Sequence, residues 1–148
     1  MTDNVELNTM EIILNESNLT KQQKAVLQKV YIKSKENIIT IFENINKDSD
    51  ALEISNSLFK IICLIIKIIE KVKLNRKKLS GEEKKMIVLE LIRISILSEI
   101  DDKVTQTIIL NAYDMSAESI LETVLDLSRN VNISLNKGLS NLFKCCKN

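Results

Sequence analysis

The sequence predicts an all-α protein, a single-domain bundle of five to six helices around a central hydrophobic helix. Three observations carry that prediction. The 148 residues contain no Pro and two Gly, so few of the residues that interrupt helices or build tight hairpin turns are present. Apolar residues recur at helical spacing, and no stretch alternates convincingly in the manner of a strand. Ser, Thr and Asp stand at intervals ahead of apolar runs, where they cap helix N-termini.

The first helix is short and weak, from Thr9 to Asn15. The second starts at Thr20, where Thr20-Lys21-Gln22-Gln23 forms a capping box, and runs to about Asn46. Within it Leu27, Tyr31, Ser34, Ile38, Ile41 and Ile45 recur at alternating steps of four and three, the seam of an antiparallel bundle or short coiled coil. Lys21, Lys24, Lys29, Lys33 and Lys35 keep to the other side. Asn46 to Asp50 is a break, with Ser49 or Asp50 as the next cap. The third helix, about Ala51 to Leu74, holds the most hydrophobic run, Leu58 to Ile69. Its polar residues Glu53, Asn56, Lys60, Lys67 and Glu70 or Lys71 fall on one narrow line, which marks a central helix. Lys60 and Lys67 interrupt the run, so a membrane span of about 20 apolar residues is not expected.

A basic connector, Lys71 to Lys78, leads to Ser80-Gly81-Glu82-Glu83, a second capping box. The fourth helix, to about Ser98, is apolar on more than one side. After a turn at Glu99 to Asp102 come a fifth helix, about Lys103 to Tyr113, and a sixth from near Ser116 carrying Ile120, Leu121, Val124, Leu127, Ser128 and Val131. Residues 1–148 thus make one domain, with 1–19 expected as a loose N-terminal segment and 132–148 as a loose basic tail ending in a Cys pair.

Composition narrows function. Histidine, the usual general base near neutral pH and the commonest metal ligand, is absent, and glycine is too scarce for phosphate-cradling loops. The chain is expected not to be an enzyme and to use no cofactor. Zinc sites need four Cys or His ligands at suitable spacing, whereas the three cysteines here are Cys63 and the adjacent Cys145 and Cys146. Cys63 lies within Ile62-Cys63-Leu64-Ile65 and reads as an inert core thiol. Twenty-one cations balance 20 carboxylates to a formal +1, so no global field steers the chain toward nucleic acid. The start, Met1-Thr2-Asp3-Asn4, has no signal pattern, which predicts an intracellular, cytoplasmic protein.

Two groups could bear other chemistry. The ending Leu142-Phe143-Lys144-Cys145-Cys146-Lys147-Asn148 resembles the dual-prenylation ending of Rab-type small GTPases and also suits palmitoylation, making Cys145 and Cys146 candidate lipidation sites. The GTPase motifs are absent. Arg76, Lys77, Lys78, Lys144 and Lys147 are candidates for membrane or phosphate contact. No aromatic residue interleaves the connector for base stacking, so nucleic acid is not the expected partner.

The stretch Lys78 to Lys85, the apolar helix to Leu97, the acidic turn and the Ile/Leu-rich helix ending in Leu127-Ser128 resemble small all-α proteins of nucleocytoplasmic large DNA viruses. The resemblance covers the second half of the chain and rests on a Leu-Ser-Gly-Glu cap ahead of an apolar helix. It implies a virion or virus-factory component that binds partners and has no catalytic residues. The Asn/Ile/Lys bias is what an AT-rich genome imposes. The nearly all-apolar third helix also suits a viral Bcl-2-like inhibitor of cell-death signalling, although Trp, and with it the Asn-Trp-Gly-Arg signature, is missing. The favoured expectation is a non-catalytic structural or adaptor protein, a minor capsid component among the options, with protein partners that include a second copy of itself. The competing expectation is a peripheral membrane protein anchored by its C-terminal Cys pair.

Overall fold

The computed structural model describes residues 10–74 and 77–130, with side chains over 10–72 and 78–127. The calls on Arg76, Lys144, Lys147, Cys145 and Cys146 therefore lie outside the described residues, as do residues 1–9. Five helices make up an all-α bundle: α1 (residues 10–15), α2 (Lys21–Glu43), α3 (Ala51–Ile69), α4 (Gly81–Glu99) and α5 (Lys103–Asn130). A two-residue ladder, β1 (Lys73–Leu74) with β2 (Lys77–Lys78), joins α3 to α4.

Local chemistry sets the helix starts. Thr20 accepts from the Gln23 N–H at 3.1 Å, and the Gln23 side chain accepts from the Thr20 N–H at 3.0 Å. Ser80 and Glu83 repeat the same reciprocal box at α4. Asp50 accepts from the Glu53 N–H at 2.8 Å to start α3. Each cap satisfies N–H groups that have no partner inside the helix.

The predicted seam of α2 is buried at Leu27, Tyr31, Ser34, Ile38 and Ile45. From Ile61 to Ile69, α3 exposes nothing fully, and Ile61, Ile62, Ile65, Ile66 and Ile69 are completely buried. That requires cover on nearly every side, and α3 has it from α2, α4 and α5. α4 likewise touches α2, α3 and α5, with no exposed residue from Ile87 to Ile100. The two greasiest helices are the two central ones.

Three expectations are corrected. Residues 10–19 are not loose: Met10, Leu14 and Leu19 are buried against the core, and the Lys24 ammonium donates to the Asn15 carbonyl. The third helix ends at Ile69 instead of Leu74. There the N–H groups of Lys71 and Val72 bond back three residues, to Ile68 and Ile69, a tightening that closes a helix before the strand pairing takes over.

The fifth and sixth helices are one, α5, continuous from Lys103 to Asn130. Ser116, near the expected start of the sixth helix, bonds to the Ala112 carbonyl at 2.7 Å, as a serine inside a helix does. Thr105, Ile109, Ala117, Leu121 and Leu125 are buried at four-residue spacing, with Tyr113 half-buried in the same row. Such a row is a ridge inclined to the helix axis. Its drift around the helix carries Leu127, expected in the core, out to 57% exposure.

Because α5 has no break at residues 113–116, Met115→Pro should cost about 3 kcal/mol or more by urea unfolding, since it removes a bond and clashes inside a helix. A turn at that point would tolerate it. Ile65→Ala, in the centre of α3, should cost roughly 2–5 kcal/mol in the same measurement.

Candidate functional site

The helices run up and down, and side-chain bonds show which ends meet. Lys84, in the first turn of α4, pairs with Glu70 just past α3 at 3.1 Å. Lys85 bonds to both Glu118 and Glu122 of α5 at 2.8 Å. At the far end of α4, the buried Gln106 amide donates to the carbonyls of Ile96, Leu97 and Ile100 at 3.2–3.4 Å. Those carbonyls are orphans of the helix terminus, so a side chain from α5 does what a glycine cap does elsewhere. The turns α2–α3 and α4–α5 therefore share one end of the bundle, and the hairpin and the C-terminus of α5 share the other.

This topology separates charge. Residues 43–53 and 99–103, the two turns at one end, hold seven carboxylates against two lysines. At the other end, Lys67 to Lys85 and the α5 stretch from Glu118 to Asn130 together carry nine cations against six carboxylates. A chain of formal net charge +1 is thus acidic at one end and mildly basic at the other. The local field, not the net charge, is what a partner meets.

The acidic end contains an open cleft of about 260 Å³ lined by Phe42, Glu43, Ile45, Glu99, Ile100 and Asp102, among others. Two of its carboxylates, Glu99 and Asp102, are engaged. The Tyr31 hydroxyl donates to Glu99, which ties α2 to α4. Asp102 accepts from the Thr105 hydroxyl at 2.5 Å and from the Thr105 N–H at 3.0 Å, capping α5. Those bonds, the hydroxyl first, hold its carboxyl below the usual carboxylate range.

A second cleft, about 370 Å³, lies between the α1–α2 connection and α4, against Glu16, Leu19, Met86, Leu89, Glu90 and Arg93. Arg93 is clamped by both oxygens of Glu90, which raises its pKa further. Nearby, the Tyr113 hydroxyl donates to the Leu89 carbonyl at 2.8 Å. Burial, reinforced by Glu90, pushes the Tyr113 phenol up to about 12.

Among the described residues no three Cys, Asp or Glu side chains are placed to share a metal ion. No described helix is long and apolar enough to cross a membrane. Of the residues singled out in the sequence, Cys63 is buried in α3. Lys77 and Lys78 form β2, with Lys78 exposed and set opposite Lys73 in the ladder. The charge separation, the Gln106 cap and the Tyr113 contact were missed. The first was available from the alternation of turn charge along an up-and-down bundle.

No family model, no curated protein and no solved structure matches this chain.

Tyr113 has a sign-definite consequence. Its folded pKa lies above the ordinary phenol value of 10.0, so its contribution is intact below pH 10 and fades as pH rises toward 12. In alkaline unfolding monitored by circular dichroism, Tyr113→Phe should flatten the loss of stability in that window. An unchanged alkaline limb would show that another group causes it.

Proposed function

We propose that this chain is a non-catalytic structural or adaptor protein that acts through helix-to-helix contacts with protein partners, first among them a second copy of itself. The observation that carries this reading is the outer face of α5. Val104, Ile108, Asn111 and Met115 share one side of that helix, with Val104 57% and Met115 85% exposed and Ile108 partly buried. Large apolar groups grouped on a helix face favour an interface. Lys103 and Asp114 flank the same side of the stripe. In an antiparallel pair of α5 helices, Lys103 of each copy would lie beside Asp114 of the other and Val104 near Met115, which is the self-complementarity a two-fold interface requires.

The clefts support the non-catalytic half of the reading. Arg93 is held by Glu90, Asp102 by Thr105, and Glu99 by Tyr31, so these groups serve the fold. A place in a virus particle or virus factory completes the proposal, on the strength of the viral resemblance of the second half of the chain.

Light scattering on the full chain should report a dimer at tens of micromolar. Val104→Glu combined with Met115→Glu should convert it to a monomer with unchanged helical content, because charges would then be buried unpaired in the contact. A wild-type monomer across that range would defeat self-association. A dimer that survives the double substitution would remove α5 from the interface.

A further inference from the structure

We propose that the hairpin end of the bundle is a docking surface for anionic phospholipid, formed by Lys67 and Lys71 of the α3 terminus with Lys78 of the ladder, on strands whose sequence also carries Lys73 and Lys77. The strand register sets Lys73 directly opposite Lys78. Like charges at opposed positions destabilise a pair of strands, and a layer of negative phosphates across the tip relieves that cost. From Lys71 to Gly81 there is no carboxylate. Of the acids that flank this stretch, Glu70 is paired with Lys84, Glu83 is turned onto the Ser80 N–H, and Glu82 is exposed. Lys71 and Lys78 are exposed, Lys67 is half-buried one turn before Lys71, and no salt bridge among the described residues engages any of the three.

The position of the C-terminus selects lipid over other anions. Lys85, in the second turn of α4, pairs with Glu122, and α5 runs eight residues further, about 12 Å, toward the hairpin end. The last 18 residues of the chain leave from there, carrying Lys137, Lys144 and Lys147 with no carboxylate, and Leu142 and Phe143 beside the terminal cysteines. A basic tip and a basic, apolar tail starting on the same side provide the two signals that peripheral membrane binding needs. Nucleic acid is disfavoured because no aromatic residue lies between Lys60 and Lys85 to stack on a base. This surface is at the opposite end of α5 from the apolar stripe, so the proposal stands apart from self-association and either can fail alone.

The test is sedimentation of the full, unlipidated chain with vesicles of phosphatidylcholine alone or one-third phosphatidylserine. Binding is expected to the second kind only, and to vanish near 1 M salt, where the screening length is about 3 Å. Lys71→Gln with Lys78→Gln should weaken it roughly 30-fold, from about a fivefold loss for each charge near the surface. Lys29→Gln with Lys33→Gln, exposed on α2, should leave it unchanged, and circular dichroism should show both variants folded. Equal binding to both vesicles, absence of binding, indifference to the Lys71 and Lys78 substitutions, or tighter binding to a single-stranded oligonucleotide would each overturn the proposal.

Discussion

The second half of α3 must be kept from water on nearly every side, and the rest of the structure is arranged around that requirement. Each of its fully buried isoleucines contributes roughly 1.5–3 kcal/mol. One neighbouring helix cannot supply the cover, so α2, α4 and α5 all pack on it. α4 then has the same problem, since Ile87, Leu91, Ile92, Ile94 and Ile96 point to several sides, and it is enclosed in turn. With almost no aromatic rings, the interior is built from branched aliphatic side chains whose restricted rotamers suit dense packing.

Several polar groups inside this core bond to backbone carbonyls. Ser34 bonds to the Val30 carbonyl, Ser95 to Leu91, Tyr113 to Leu89, and Gln106 to the end of α4. No buried polar side-chain atom among the described residues lacks a partner. Groups committed in this way hold helices in register and leave binding to the surface. There the charge is sorted by end, acidic at the two helix turns and basic at the hairpin, with an apolar stripe along the outer face of α5.

Much of the fold was legible in the sequence. Capping boxes at Thr20 and Ser80 located two helix starts to the residue, because a hydroxyl three positions before a Gln or Glu is a local signal that needs no partner. The central place of α3 followed from its single wet line. The legibility failed at α5, where the four-residue ridge blurred the usual period and split one helix into two near Ser116. It also failed at 10–19, whose three buried residues Met10, Leu14 and Leu19 are too few to show a pattern.

What the chain's own order of residues determined was helix content, most helix starts and the identity of the two central helices, all of which depend on near neighbours and on hydrophobic period. What only the packed structure decided was which turns share an end, and hence that a nearly neutral chain is bipolar. It also decided that Gln106 closes α4 and that Leu127 faces water while Thr105 does not. These depend on contacts between helices, where the inclination of one side-chain row against another sets which residues meet, and no local window of sequence contains that angle.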